Sequence, residues 1–230
     1  MAWTEILLLW ALCWQTLELM SILKNNGWKV LLYSRVMIAT LGFSFPRPEI
    51  FLFLLLTQIL IIFRFRGPFN GGSDYMTTLI LVCITITRLF PDHPLINQAC
   101  LLYLGVQTVL SFLISGIVKI RKASWRQGRA LSEFLLSERY QIPDKWKILA
   151  SSQSPLLKQG SWAVLIFECL SPLVLLNSTF CLLWIGIAIL FHWMNYRIFG
   201  LNRFFWAWLA AYPALFETSN LVSSLVKIHI

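Results

Sequence analysis

The sequence predicts an all-α fold, a polytopic integral membrane helical bundle of six to eight membrane segments formed as one domain over residues 1–230. Three observations predict it. Only 13% of the residues are charged and 58% are hydrophobic, with a mean hydropathy of +0.70. A soluble domain would carry about 25% charged residues, so most of this chain belongs in lipid. Apolar runs near spanning length recur at about 4–23, 49–65, 75–90, 97–118, 161–176, 179–197 and 204–225. Seventeen Phe and eleven Trp suit helices that face lipid and end in aromatic belts.

The first run, MAWTEILLLWALCWQTLELM, has no basic leader and no clean A-x-A site, so it is expected to be an uncleaved first helix. The next stretch, 29–45, is apolar but holds Arg35 and Gly42 and stops at Pro46 and Pro48. It reads as interfacial or re-entrant, or as an extra span that would change the parity of the topology. The segment Arg66-GPFNGGSDY prescribes a tight turn, and Ser73 or Asp74 is placed to cap a helix beginning near Tyr75.

The net charge is +9. In a soluble protein that excess would suggest nucleic acid, but here it sits mainly in the loop 119–160 and reads as a topology signal. No nucleic-acid partner is expected. With seven spans, that loop and the N-terminus fall on the cytoplasmic side, although four basic residues in 24–48 oppose the assignment. Within the loop, Leu131, Phe134, Leu135 and Leu136 alternate with charges as in a short amphipathic helix on the membrane surface, ended by Ile142-Pro143. The five cysteines lie singly in apolar runs, as small hydrophobes rather than a disulfide frame or a metal site.

The segment Ala99-CLLYLGVQTVLSFLISGIV-Lys119 carries the sharpest functional signal. Gln107, Ser111, Ser115 and Lys119 recur every fourth residue and draw a polar stripe down an apolar helix. Two readings stay open for Lys119. It snorkels to the headgroups beside Arg121 and Lys122, or it is a desolvated amine that acts as a base. Glu168 lies inside an apolar run with Pro172 four residues on. It is either a proton-handling or ligand-binding carboxyl, or one half of a structural pair. His192, Asn195 and Tyr196 share a helical face. His192 suits a proton relay better than a metal site, since only His93 and His229 accompany it in the chain. Arg197, Asn202 and Arg203 read as a membrane boundary. No phosphate-binding loop, dinucleotide fingerprint, GxSxG or HExxH is present.

Four motifs in this order resemble the HTTM family, the horizontally transferred transmembrane domain. They are RGPFNGGSDY, SGIVKIRKASWRQGRAL, ECLSP and FHWMNYRIFGLNRFFWAWLAAYPAL. That family includes the membrane portion of vitamin K-dependent gamma-glutamyl carboxylase and many bacterial proteins. The resemblance implies a bacterial inner membrane or its equivalent, and makes Lys119, counted from Gly116, the candidate base toward a reduced quinone. Two departures argue against glutamate carboxylation. Gly72 or Ser73 stands where the carboxylase has a histidine, and its large soluble portion is expected to be missing. What the resemblance then implies is a quinone-like or lipid-like ligand at Lys119, with Gln107, Ser111, Ser115, Glu168, His192 and Asn195 as ligand-binding groups. The alternative is a non-enzymatic subunit or assembly partner of a larger membrane complex, in contact with membrane lipid and protein subunits. A transporter is disfavoured because no inverted repeat is visible.

Overall fold

The computed structural model describes residues 1–22, 26–64, 72–140, 142–152 and 154–228, with side chains to residue 225. Among these residues the chain forms eleven α-helices, one 3-10 turn and no strand. The long helices are α1 (Ala2–Ile22), α2 (Asn26–Ser44), α3 (Pro48–Arg64), α4 (Gly72–Leu89), α5 (Pro94–Ile120), α9 (Pro155–Cys169), α10 (Ser178–Phe199) and α11 (Asn202–Ile228). Three short helices lie between α5 and α9: α6 (Ala123–Arg126), α7 (Arg129–Leu135) and α8 (Asp144–Ser151). By length and composition, α1, α5 and α10 could cross a membrane.

The apolar stretch 29–45 falls, up to Ser44, in one helix, α2. Other local expectations meet a different structure. The run 161–176 is broken, because α9 ends at Cys169 and Ser171–Leu175 forms the 3-10 turn. Pro172 has no N–H to bond the carbonyl of Glu168, so the α-helix cannot continue through it. The turn 66–71 lies outside the described residues. α4 begins already at Gly72, which puts Ser73 and Asp74 inside its first turn rather than at its cap.

The chain packs as two compact units. The first comprises Met1–Gly105 and Asn202–Thr218, the second Val106–Leu201 and Ser219–Ile230. The core of the first unit is built from fully buried Leu8, Leu9, Leu12, Leu54, Ile80 and Leu81. Trp14 stacks on Trp206 at 6.2 Å between ring centroids. The N-terminal amine reaches Glu217 at 3.2 Å. Arg88 forks onto both oxygens of Glu5 at 2.8 and 2.7 Å.

In the second unit the basic loop has a core of its own. Leu135, Ile142, Ala150 and Leu157 are buried together, with Leu131, Tyr140 and Trp146 packed around them. Leu131 and Leu135 therefore face inward, whereas Phe134 and Leu136 stay exposed. This replaces the single amphipathic helix expected there: α7 stops at Leu135, well before Pro143. The loop is pinned to α9 by Ser161 Oγ donating to the Trp125 carbonyl at 2.5 Å and Trp162 Nε1 donating to that of Arg126 at 3.1 Å. Gly128 makes this contact possible. Its φ of +80° is left-handed, and a Cβ there would stand 2.7 Å from the backbone nitrogen of Lys158. Gly128→Ala combines a left-handed penalty of about 1 kcal/mol with a clash against helix backbone. The variant is expected to lose about 2–3 kcal/mol and to become protease-sensitive between residues 121 and 154 under limited proteolysis.

Candidate functional site

The second unit brings Lys119, Ser115 and Glu168 together. Lys119 Nζ donates to Glu168 Oε1 in an ion pair. Ser115 Oγ donates to the same oxygen at 3.3 Å. Four residues apart on α5, Ser115 and Lys119 sit one turn from each other and face α9. The helices approach closely because residue 116 is glycine. A Cβ at Gly116 would stand 2.8 Å from Cys169 Sγ, 3.0 Å from the Cys169 backbone nitrogen and 3.0 Å from Glu168 Cβ. Gly116→Val therefore drives α9 away from α5. It is expected to cost about 2–3 kcal/mol in an unfolding titration, with Gly116→Ala intermediate.

Burial is asymmetric across the pair. The Lys119 side chain is 20% exposed and that of Glu168 only 4%. The ammonium also lies 5.0 Å from the ring centroid of Trp125, in cation–π range. Glu168 Oε2 is buried and accepts no hydrogen bond among the described residues. An ionised carboxylate has about four acceptor sites, so this oxygen can take an O–H from a bound molecule.

An aromatic wall is built from α5, α9 and α10. The Phe112 ring is 5.5 Å from Phe167 and 4.7 Å from Trp184, and Phe167 stacks on Trp184 at 4.7 Å. His192 is 1% exposed, with its ring 5.7 Å from Phe112 and 5.2 Å from Phe191. It belongs to this wall. Ser171 Oγ ties the 3-10 turn to α5 by donating to the Val109 carbonyl at 3.1 Å.

The other sequence-predicted residues do not join the pair. Ser111 Oγ donates to the Gln107 carbonyl at 2.8 Å, and Asn195 Nδ2 donates to the Phe191 carbonyl at 2.9 Å. Both bonds stay within the residue's own helix. Gln107 is half-buried on α5. Among the described residues, no cluster of three or more His, Cys, Asp or Glu side chains could hold a metal.

A second set of buried polar groups, in the first unit, is weakly marked in the sequence. Arg35 is 1% exposed. It donates to Thr57 Oγ1 at 3.1 Å and to Gln58 Oε1 at 2.5 Å. Arg203 is 9% exposed and paired with Asp74, which is 1% exposed. Arg203 is thus a buried ion-pair partner. An arginine inside an apolar run was the available signal for Arg35. Asp74 and Arg203 are 129 residues apart, and nothing local to either names its partner.

The HTTM domain family matches residues 92–219, more than half of the chain. The protein belongs to the HTTM family. The match covers the lysine block, the Glu168 segment and the His192 segment, and begins after the RGPFNGGSDY segment. No curated protein and no solved structure matches the chain. Membership in a transmembrane domain family, together with three apolar helices of spanning length, is consistent with an integral membrane protein.

Proposed function

We propose that this HTTM protein binds a hydrophobic quinol-like or lipid-like molecule bearing an acidic hydroxyl, and that the Lys119–Glu168 pair takes up its proton. The observation that carries this reading is the buried Glu168 Oε2, which lacks a hydrogen-bond partner among the described residues beside an ion-paired lysine and an aromatic wall. Phe112, Phe167 and Trp184 pack on one another along the pair's helices and α10, so the surroundings of the pair are apolar and aromatic, the chemistry that suits a hydrophobic ring.

The proton balance is simple. The ligand O–H bond breaks and its proton goes to Glu168 Oε2. The carboxylate becomes a neutral acid and the ligand an oxyanion. The Lys119 ammonium, bonded to Glu168 beforehand, then stabilises the new oxyanion, so the net charge of the site is unchanged. Lys119 itself serves as the base when it first passes its proton to Glu168 and meets the ligand as a neutral amine; both routes reach the same end state. Ser115 holds Glu168 Oε1 in place in either route.

Binding is tested by adding a short-chain hydroquinone to the protein in nanodiscs and following tryptophan fluorescence. Saturable quenching is expected in the wild type and its loss in a Lys119→Met/Glu168→Leu double variant. Quenching that rises linearly and equally in both would mean simple partitioning into lipid and would sink the reading.

We further propose that the seven apolar runs span the membrane as α1, α3, α4, α5, α9 with its 3-10 turn, α10 and α11, with the loop 119–160 cytoplasmic. The N-terminus shares that side if α2 lies at the interface. It takes the opposite side if α2 makes an eighth span. Protease accessibility of an N-terminal epitope in sealed vesicles separates the two.

A further inference from the structure

The first unit holds more buried positive charge than its described ion pairs balance. Asp74 answers Arg203. Arg35, on α2, is in electrostatic reach of both Arg203 and Asp74, but its own hydrogen bonds go to two neutral groups on α3, Thr57 and Gln58. Three nitrogen donors in this neighbourhood are buried without an acceptor among the described residues: Arg35 Nε, Gln58 Nε2 and Arg203 Nε. Each of the three residues is at least nine-tenths buried. A guanidinium in a low-dielectric interior is costly unless a negative charge accompanies it. Unsatisfied N–H donors beside it add to that cost.

We propose that the first unit binds a carboxylate at Arg35. The Arg35 Nε hydrogen has no acceptor among the described residues, and Nη2 keeps one hydrogen beyond the one it gives to Gln58, so the guanidinium has donors left for a carboxylate to accept. The Gln58 amide, held against Arg35 by that hydrogen bond, supplies a further N–H. Arg203 adds attraction without contributing a second full charge, because Asp74 offsets it. A monocarboxylate brings the described cluster of Arg35, Arg203 and Asp74 to neutrality. This site is independent of the Lys119–Glu168 reading, which lies in the other unit.

The carboxylate can come from a small soluble acid or from the head of an acyl chain, and the probes separate these sources. Purified protein in non-ionic detergent is titrated with formate and, separately, with decanoate at constant ionic strength, and thermal unfolding and calorimetric heat are recorded. Saturable stabilisation by formate assigns a soluble acid. Saturation by decanoate alone assigns an acyl carboxylate. The apparent affinity is expected to fall more than about tenfold in Arg35→Gln. Without carboxylate, Arg35→Gln is expected to be at least as stable as the wild type, since it removes an uncompensated charge. Gln58→Leu, which leaves the arginine in place, should weaken binding and serves if Arg35→Gln fails to fold. Absence of saturable stabilisation by either acid in the wild type overturns the proposal, as does an unchanged affinity in Arg35→Gln.

Discussion

Lys119→Ala is expected to destabilise the protein by about 3 kcal/mol or more, and Glu168→Gln by about 1 kcal/mol or less. The same ion pair is removed in both, and the difference follows from where each partner can go. Glu168 is only 4% exposed, so removing the lysine leaves a buried carboxylate with a single hydroxyl donor, Ser115 at 3.3 Å. Breaking a buried pair from one side in this way costs about 3–5 kcal/mol. Lys119 is 20% exposed and lies over the Trp125 ring. When Glu168 becomes neutral, the amine keeps a cation–π contact and extends along its apolar stem to water or headgroups. Replacing both partners with apolar residues, in Lys119→Met/Glu168→Leu, should restore stability to within about 1 kcal/mol of the wild type. Denaturant titration in mixed micelles checks the order. Equal losses in the two single variants would show that Glu168 is better solvated than its burial indicates.

Asp74→Ala is expected to be the most damaging single change in the first unit, at about 3–5 kcal/mol. It removes the carboxylate that pairs with Arg203 and leaves Arg203 and fully buried Arg35 as like charges within electrostatic reach. Glu5→Gln provides the contrast. Its partner Arg88 makes two hydrogen bonds to it but is 36% exposed, so the guanidinium left behind reaches water and the loss should cost about 1 kcal/mol or less. If Asp74→Ala and Glu5→Gln unfold alike, the excess charge around Arg35 is not buried as the structure has it.

Much of the helical layout was legible because apolar runs and helix-stopping prolines are local properties. The run 97–118 lies within α5, and the boundaries of α10 fall within a few residues of the apolar run 179–197. The family was legible for a similar reason: the lysine, Glu168 and His192 segments keep their order along the chain. The site was legible only at one end of its stripe. Residues four apart advance about 40° beyond a full helical turn, so a stripe of four winds about 120° around the helix. Ser115 and Lys119 both reach α9, whereas Ser111, a further step around the helix, bonds its own backbone instead. Glu168 could be picked out in sequence as an expensive intramembrane carboxyl, but the identity of its partner is set by the glycine contact at Gly116, a tertiary fact. The Asp74–Arg203 pair and the Gln58 amide beneath Arg35 are tertiary in the same sense. The charges are visible in the string, and the partnership is made by helices distant along it.

Infrared difference spectroscopy on the protein with a hydroquinone ligand tests the proton-accepting role of the pair most directly. Ligand binding should produce the carbonyl-stretch band of a newly protonated carboxyl group, and that band should disappear in Glu168→Gln. Saturable binding with no new carboxyl band, or a band that persists in Glu168→Gln, would contradict proton uptake at Glu168.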